Sequence, residues 1–290
     1  MQVFHERTFR VRHYECDAYG HVNHANYVRY MQETAFDASA AVGYDITRYE
    51  QLGLFWLVRE TDISYLRPLT YGDSVIVKTW VEDFRRVHSR RTYELRCADS
   101  GERVAQASTD WVLLSAADNR LTQIPDEMVQ AFAPSGEAEN NPPRERFPKA
   151  PPPPKSPFTV QKIVGWRDLD PAVHVNNAMY LSFMEDAGGQ AVAHYGWSLS
   201  RLLAENVGIV VRRFRIEYKV PAVLDDELEI TTYLSDVRRA TAIRHYIIRR
   251  PKDDVLIARA HVLNVCVDLA SGLPRKFPLE FLQAVQDNIV

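Results

Sequence analysis

Cysteine is scarce in this sequence: Cys16, Cys97 and Cys266 are the three cysteines among 290 residues. Their odd number and wide spacing give neither a disulfide framework nor a paired-cysteine zinc motif, which is typical of a reducing compartment. Cys16 stands beside Asp17, so two interpretations are open, a structural thiol and a nucleophile. We favour a buried structural thiol, because neighbouring side chains on an extended segment point to opposite faces.

Long apolar runs are missing as well. The sequence has no window approaching the roughly 18 to 20 uncharged apolar residues of a membrane span. The first seven residues lack the apolar core of a signal peptide. The formal net charge is −3, so neither sign is in large excess and broad binding to nucleic acid is not favoured. We therefore expect a cytoplasmic protein without nucleic-acid or membrane partners.

Several catalytic motifs are absent too. The sequence has no Gly-x-Ser-x-Gly elbow, no phosphate loop and no metal-ligand spacing. We accordingly expect no metal and no cofactor.

An internal repeat dominates what is present. Residues 17–27 read Asp-Ala-Tyr-Gly-His-Val-Asn-His-Ala-Asn-Tyr, and residues 170–180 read Asp-Pro-Ala-Val-His-Val-Asn-Asn-Ala-Met-Tyr. The offset is 170 − 17 = 153, and identical residues keep recurring at this offset without a gap. Agreement over about seventy positions predicts two halves of one fold. The matched pairs include Gly43 with Gly196, Pro68 with Pro221 and Asp83 with Asp236.

Prolines separate the two halves. Residues 134–157 include the run Pro151-Pro-Pro-Pro154, and such segments favour extended polyproline geometry. We predict a first domain at 1–133, a semi-rigid spacer at 134–157 and a second domain at 158–290. A ligand for another protein's proline-recognition domain is the alternative interpretation of the spacer.

Both halves show the same order of periodicities. Partial alternation over residues 3–13 predicts a strand, and helical spacing over residues 27–42 and 180–195 predicts two long helices that end at Gly43 and Gly196. Four strand-like runs follow in each half. They cover residues 54–66, 74–83, 87–97 and 103–115, then 207–219, 227–236, 240–249 and 255–267.

One long helix followed by a meander of antiparallel strands is an α+β unit with the sheet wrapped on the helix, which is the hot-dog pattern. Small residues on the helices, such as Ala35, Gly188 and Gly189, favour a close approach of the sheet. A single sheet of this kind leaves an edge strand unpaired. We therefore expect two tandem hot-dog folds packed as an intrachain pseudo-dimer.

The turn before each long helix carries the candidate chemistry. A helix N-terminus presents backbone N–H groups and a positive dipole end, which stabilise an oxyanion that develops on a carbonyl oxygen. A nearby carboxylate can attack the carbonyl or deprotonate a water, which points to Asp17 and Asp170. A helix N-cap is the alternative for both. For the histidines and asparagines we favour a structural role through side-chain to backbone hydrogen bonds: His21, Asn23, His174 and Asn176.

The first motif resembles the signature of the 4-hydroxybenzoyl-CoA thioesterase family of hot-dog proteins. It reads Tyr14-Glu-Cys-Asp17-Ala-Tyr-Gly20-His21-Val-Asn23 and continues to Tyr27. The resemblance implies that Asp17 is the nucleophile or general base. It also implies that the oxyanion donor is the backbone N–H of His24, seven residues on. The equivalent positions in the second half are Asp170 and Asn177.

The second motif departs from that signature, with Val173 in place of glycine. Its Asp168-Leu-Asp170 and His174-Val-Asn-Asn177 resemble the C-terminal half of acyl-carrier-protein thioesterases. Those enzymes also have an asparagine two residues after the second aspartate and a cysteine after a downstream glutamate. This chain has Ala172 and Tyr218 there, so it lacks that complete set.

These resemblances imply a thioesterase that hydrolyses an acyl-CoA or acyl-carrier-protein thioester to an acid and a thiol, and that forms a homo-oligomer. A non-catalytic acyl-CoA sensor is the alternative. We expect Asp17 to matter more than Asp170, because Gly20 permits positive φ and close approach of substrate. The catalytic candidates are Asp17, His24, Asp170, His174 and Asn177, and the substrate-binding candidates are Gly20, His21, Asn23, Tyr27, Glu33 and Asn176.

Two sets of charged residues have two possible interpretations each. The arginine pairs Arg85-Arg86 and Arg238-Arg239, with Arg90-Arg91 nearby, are interpreted either as ligands for the phosphates of CoA or as solvated strand ends. Glu33 and Asp186 face either the substrate or an interface. No motif encodes the acyl group, or the choice between CoA and carrier protein.

Overall fold

The computed structural model describes residues 3–134 and 144–290, which form two compact units divided between Arg146 and Phe147. Part of the expected spacer, residues 135–143, lies outside the described residues, so its extent stays a prediction. Residues after the division pack on the second unit. The Phe147 ring lies 5.5 and 4.8 Å from the guanidinium carbons of Arg215 and Arg259. Pro151 accepts a hydrogen bond from the Tyr233 hydroxyl at 2.7 Å.

The first unit contains five strands and three α-helices among its described residues. In chain order they are β1 (His5–Arg10), α1 (His24–Ala41), α2 (Ile46–Leu52), β2 (Leu54–Tyr65), β3 (Ser74–Arg85), β4 (His88–Cys97), β5 (Arg103–Ser115) and α3 (Asp126–Phe132). The predicted long helix and all predicted strands are confirmed. The short helices α2 and α3 were not predicted, because one or two turns show too little periodicity.

The second unit repeats this order among its described residues. Its elements are β6 (Phe158–Ile163), α4 (Asn177–His194), α5 (Leu199–Ala204), β7 (Val207–Tyr218), β8 (Glu227–Ser235), β9 (Thr241–Arg250), β10 (Val255–Asp268) and α6 (Leu279–Ala284). Gly43 and Gly196 follow the two long helices with φ of 86° and 81°, as the predicted helix ends require.

The strand order corrects the predicted meander. Within the first unit the order is β1-β3-β4-β5-β2, and within the second it is β7-β10-β9-β8-β6. Only β3, β4 and β5, with their counterparts β8, β9 and β10, follow one another as hairpins. The strand after the long helix pairs instead with the last strand, β2 with β5 and β7 with β10. Periodicity shows which residues form strands, but pairing is decided by side-chain contacts between strands distant in sequence.

Two bulges recur at the same offset and help the sheets to curve. In the pairing of β2 with β5 the extra residue is Arg59, and in that of β7 with β10 it is Arg212. A second pair of bulges places extra residues at Val104 and Ile257. The repeat thus extends to local backbone irregularities.

Each long helix packs on two strands of its own unit, α1 on β1 and β3, and α4 on β6 and β8. Close approach in the second unit depends on glycine: a Cβ at Gly188 would lie 2.5 Å from the Tyr246 hydroxyl oxygen. Among the described residues, no helix combines the length and apolar character needed to cross a membrane.

Candidate active site

The turn that precedes each long helix has one backbone conformation in both units. The amide of Asp17 donates to the carbonyl of His21 at 2.8 Å, and the amide of Gly20 donates back to the carbonyl of Asp17 at 2.9 Å. In the second unit Asp170 donates to His174 at 3.0 Å, and Val173 donates to Asp170 at 2.9 Å. The aspartate therefore occupies the same place in two closed turns.

One carboxylate oxygen of each aspartate is held by the turn itself. The Oδ1 atom of Asp17 accepts the amide of Tyr19 at 2.8 Å, and Oδ1 of Asp170 accepts the amide of Ala172 at 2.9 Å. This is the Asx-turn geometry. It replaces the N-cap interpretation, because neither aspartate caps a helix.

Val173 takes the conformation that glycine takes in the first turn, with φ of 62° at Val173 and 77° at Gly20. A β-branched residue at positive φ is strained, at roughly 1 to 3 kcal/mol. The valine side chain is 63 % exposed, so it projects from the turn into solvent. The expected difference between the turns thus lies in their side chains and in strain, while the backbone path is shared.

Asparagine caps both long helices. The Oδ1 atom of Asn23 accepts the amide of Ala25 at 3.0 Å, and Oδ1 of Asn176 accepts the amide of Ala178 at 2.9 Å. The first helical residue is His24 in α1 and Asn177 in α4. The cap's side chain thus bonds the second amide of each helix.

Two tyrosines missed by the sequence analysis fix the start of the helices. The Tyr65 hydroxyl donates to the carbonyl of His24 at 3.0 Å, and the Tyr218 hydroxyl donates to the carbonyl of Asn177 at 3.1 Å. Their pairing at the offset of 153, since 218 − 65 = 153, was the available signal. Tyr218 holds the position of the cysteine in the carrier-protein pattern, and its hydroxyl instead donates to the backbone at the helix start.

Two residues before Asp17 and Asp170, each unit has a buried acidic residue. These residues are Glu15 and Asp168, and each is 6 % exposed. The Oε2 atom of Glu15 accepts the amide of Arg12 and the hydroxyl of Tyr30, both at 2.7 Å. Asp168 Oδ2 accepts the amide of Gly165 at 2.8 Å and lies 2.9 Å from Lys162 Nζ. The acidic residue in the first motif was noted, but its structural role was not predicted.

The electrostatics of the two turns differ. Burial of the His24 ring lowers its pKa to about 4, partly offset by the negative charge of Asp17, so the imidazole is neutral at neutral pH. In the second turn burial raises the pKa of Asp170, while His174 and backbone amides act in the opposite direction. Nδ1 of His174 is buried and has no hydrogen-bond partner among the described residues. A carboxyl and an imidazole thus interact within one turn in the second unit.

The remaining substrate-binding candidates are spread more widely. Tyr27 is 3 % exposed, and burial raises the pKa of its hydroxyl. Its counterpart Tyr180 accepts the amide of Ala222 at 3.1 Å. Glu33 lies on the exposed face of α1, in an ion pair with Arg7 at 3.3 Å. At 1.5 Å per residue it lies ~14 Å beyond the helix start, so the fold does not place it in the turn.

His21 contributes through its backbone, which pairs with Thr70 in an isolated antiparallel bridge. Asp186, the counterpart of Glu33, lies on the exposed face of α4. Neither Glu33 nor Asp186 shares the turn with the aspartates.

The alternative nucleophile Cys16 is half-buried. Burial, with the nearby charge of Asp17, raises the pKa of its thiol, which disfavours the thiolate needed for attack.

Arg90 forms two hydrogen bonds to Asp110 at 2.8 and 2.9 Å, and Arg91 is 7 % exposed. These two arginines are thus internal to the fold. Among residues 3–134 and 144–290, no group of three His, Cys, Asp or Glu side chains is placed to hold a metal ion.

Comparisons with known proteins agree across both units. Residues 2–132 match the family model of the acyl-ACP thioesterase N-terminal domain, and residues 164–285 match the thioesterase-like superfamily. The acyl-CoA thioester hydrolase YbgC of Escherichia coli O6:H1 is 36 % identical over 115 residues, which cover 40 % of this chain and 85 % of that protein.

Two plant proteins extend the comparison. The acyl-[acyl-carrier-protein] hydrolase FATB2 of Cuphea viscosissima is 28 % identical over 190 residues, covering 61 % of this chain and 45 % of that protein. The solved structure of the 12:0-ACP thioesterase from Umbellularia californica has a TM-score of 0.71 and 22 % identity, covering 91 % of this chain and 94 % of that one. The tandem α+β fold predicted from the sequence is thereby confirmed.

Proposed function

We propose a mechanism and a substrate class for this chain, which belongs to the thioesterase superfamily of hot-dog proteins and is an acyl-thioester hydrolase. The proposal assigns the chemistry to the turn before α1, with Asp17 as the catalytic carboxylate. The observation that carries it is the repeated turn before each long helix, in which a backbone amide holds an aspartate carboxylate.

In the proposed reaction, Asp17 removes a proton from water as the water oxygen attacks the thioester carbonyl carbon. The carbonyl oxygen becomes an oxyanion and accepts a hydrogen bond from the His24 amide at the positive end of the helix dipole. Collapse of this intermediate breaks the C–S bond, and the proton passes to the leaving thiolate. The products are a carboxylic acid and a thiol. Direct attack by the Asp17 carboxylate, followed by hydrolysis of the anhydride, is the second route open to the same residues.

Three features support this assignment. The Asx turn fixes the carboxylate through the amide of Tyr19. The charge of Asp17 acts on His24, so the aspartate and the helix start are electrostatic neighbours. Tyr65 holds the His24 carbonyl at 3.0 Å and so fixes the orientation of the first helical turn.

The second turn contains the corresponding set, namely Asp170, His174 and Asn177. We propose a smaller catalytic contribution for it. Exposed Val173 stands where the first turn has Gly20, and its side chain narrows the approach of a substrate.

We propose acyl-CoA or acyl-carrier-protein thioesters as substrates, a cytoplasmic location and a homo-oligomeric assembly. The test of the function is to incubate the purified chain with acyl-CoA and acyl-carrier-protein series of increasing chain length, with a thiol reagent present. Turnover well beyond one thiol per chain is expected. Stoichiometric binding without thiol release would instead favour the acyl-CoA sensor. Light scattering that gives only a 33.3 kDa monomer would contradict the assembly.

A further inference from the structure

An exposed apolar surface surrounds the turn that carries Asp170, and the proposed mechanism gives a role only to its Val173. Trp166 lies just before this turn and is 79 % exposed, although tryptophan is highly buried on average in folded proteins. The other members are exposed aliphatic side chains. We call this surface the Trp166 patch, and its residues are Trp166, Val173, Val223 and Leu224.

Backbone hydrogen bonds hold the segments of the patch together. Directly after the turn, the amide of Val175 donates to the carbonyl of Ala222 at 2.9 Å, and the next residue belongs to the patch. The amide of Asp225 donates to the carbonyl of Val164 at 3.1 Å, two residues before the tryptophan. The loop after β7 therefore contacts both the turn and the segment that leads into it.

The first unit shows that two members of the patch are direct neighbours. At the offset of 153, Trp166 corresponds to His13 and Leu224 to Tyr71. The rings of His13 and Tyr71 lie 5.6 Å apart in an edge-to-face contact. Because the two turns share one backbone path, the tryptophan and the leucine occupy adjacent positions as well.

The fold exposes these positions but does not require apolar side chains there. All four positions are exposed in both units. Where the second unit has the Trp166 patch, the first has an imidazole, a glycine, a hydroxyl and a phenol, from His13, Gly20, Thr70 and Tyr71. Exposed apolar residues are ordinarily scattered singly, whereas a group of them marks an interaction site. The patch is thus a property of the second unit and not of the repeated fold.

Two charges border the patch without an ion-pair partner among the described residues. Arg167 and Asp225 each follow a member of the patch in the sequence, and both side chains are exposed. At these positions the first unit has Tyr14 and Gly72, so the charges are also specific to the second unit. An apolar surface with one cation and one anion at its edge complements a second copy of itself.

We infer that the Trp166 patch is the contact surface between two copies of this chain, which deepens the proposed homo-oligomeric assembly by naming its surface. In a two-fold contact residue i meets residue j of the other copy, and j meets i. The apolar side chains lose water in the centre, where tryptophan is a common hot spot, and Arg167 of each copy faces Asp225 of the other. A bilayer fits this edge less well, because membrane-binding surfaces carry clusters of Lys and Arg.

A second copy on this surface has a consequence for the site, and this consequence rests on the proposed function. Val173 belongs both to the patch and to the turn of Asp170, so the contact covers one approach to that turn. The corresponding positions around Asp17 lack the apolar side chains, so the same contact does not form there. The assembly therefore adds to the difference between the two turns.

The test is sedimentation equilibrium of the full chain at about 1 to 100 µM. We expect a dimer of twice the 33.3 kDa mass of one chain. Trp166→His combined with Val223→Thr puts the residues of the first unit into the patch. This variant should raise the dissociation constant of the dimer at least tenfold, because it removes the apolar centre.

Leu273→Arg is the matched control. Leu273 is 65 % exposed and its first-unit counterpart is Arg120, so this change also puts a first-unit residue at an exposed apolar position. The amide of Asp268 donates to the carbonyl of Leu273 at 2.9 Å, and Asp268 pairs with Val207, the first residue of β7. The patch lies beyond the other end of this strand, which spans ~36 Å. Leu273→Arg should leave the dimer unchanged.

An exchange of charges tests the orientation of the two copies. Arg167→Glu should raise the dissociation constant at least tenfold, because it sets like charges against each other. Adding Asp225→Lys should restore most of the lost affinity. Circular dichroism checks that each variant folds. If Asp225→Lys does not fold, Arg167→Glu and the Trp166→His, Val223→Thr variant carry the test.

Three results would overturn the inference. One is a monomeric wild type over the whole concentration range, and another is a dimer that the Trp166→His, Val223→Thr variant forms with unchanged affinity. The third comes from flotation with vesicles of phosphatidylcholine and phosphatidylglycerol, to which we expect no binding. Vesicle binding by wild type that this variant loses would assign the patch to a membrane.

Hydrolysis of acyl-CoA, measured on the same samples, keeps this inference apart from the proposed function. A dimer that dissociates as expected but releases no thiol would leave the contact surface standing and reject the hydrolase mechanism. An active wild type whose dimer ignores every change in the patch would do the reverse.

Discussion

The two units reach one turn geometry with different chemistry beneath it. In the first unit the buried carboxylate of Glu15 accepts the Tyr30 hydroxyl at 2.7 Å, and the Tyr30 ring stacks on Phe9 at 4.8 Å. At the corresponding positions the second unit has Asp168, Phe183 and Lys162.

In the second unit the Lys162 ammonium replaces the hydroxyl. It lies 2.9 Å from Asp168 Oδ2 and 4.8 Å from the centroid of the Phe183 ring. A tyrosine hydroxyl that donates to the acid in one unit thus corresponds to a lysine ammonium group in the other. The two units therefore share the position of the acid and its hydrogen bond from a backbone amide. They differ in the side chain that contacts the acid, which is Tyr30 in the first unit and Lys162 in the second.

The largest stability effect should come from removing this acid. Glu15→Ala leaves the Arg12 amide and the Tyr30 hydroxyl without their acceptor and should cost about 3 kcal/mol in the free energy of unfolding. Asp168→Ala should cost about 1 to 2 kcal/mol, because Lys162 is 35 % exposed and regains water more readily. Denaturant unfolding measures both. Glu6→Ala, at an exposed ion pair, is the control and should change stability by under about 0.5 kcal/mol. Equal losses of unfolding free energy in Glu15→Ala and Asp168→Ala would contradict the predicted difference between the two acids.

A second contrast concerns the close approach of helix and sheet. Gly188→Ala places a Cβ against the Tyr246 hydroxyl and should destabilise the fold by about 1 to 3 kcal/mol. Ala35→Gly, the reciprocal change in α1, should cost only about 1 kcal/mol through helix propensity. Thermal unfolding reports both changes. Adding Tyr246→Phe to Gly188→Ala should recover most of the loss, and failure to recover would show that the hydroxyl is not the obstacle.

The backbone strain at Val173 in the second turn predicts that its removal stabilises the fold. Val173→Gly should raise the free energy of unfolding by about 1 kcal/mol, because glycine adopts positive φ without penalty. Gly20→Val should lower it by a similar amount. Both are measured by denaturant unfolding at constant pH. Destabilisation by Val173→Gly would mean that the valine side chain contributes packing that outweighs the strain.

The smallest effect is tied to pH. Folding raises the pKa of Asp170, so the folded state binds this proton more tightly than the unfolded chain does. The ionised carboxylate therefore lowers stability at neutral pH, and the penalty disappears as the pH falls below the unfolded value of about 3.9. Asp170→Asn keeps the acceptor for the Ala172 amide and should be slightly more stable than wild type at pH 7. The difference in stability between Asp170→Asn and wild type should shrink toward pH 4. A difference that grows on acidification would contradict a raised pKa of Asp170 in the folded state.

Much of this molecule follows from its sequence, and the limits have physical causes. The long helices and the strands after them are periodic over ten or more residues, so they were predicted nearly to their ends. The order of the strands in the sheet was not predicted, because β2 pairs with β5 across about fifty residues and no local pattern specifies that partner.

At the site, the repeated motif predicted the turn, and the family resemblance implied the first helical residues, which helical spacing alone placed three residues later. The N-cap, offered as the alternative for Asp17, is Asn23, whose side chain makes the kind of side-chain to backbone hydrogen bond that the sequence analysis favoured for it. The roles of the buried acids could not be predicted. They depend on which residues of separate segments meet, as with the hydroxyl of Tyr30 that donates to Glu15.

The central claim is that the first turn carries most of the catalysis, and the most direct test is a comparison of Asp17→Asn with Asp170→Asn in steady-state hydrolysis. Asparagine keeps the acceptor for the turn amide in both variants, so loss of the turn is separated from loss of the carboxylate. We predict that Asp17→Asn lowers kcat by about two or more orders of magnitude, as loss of a general base or nucleophile does, and that Asp170→Asn lowers it much less. Loss of activity in Asp170→Asn alone would place the chemistry in the second turn and contradict the account.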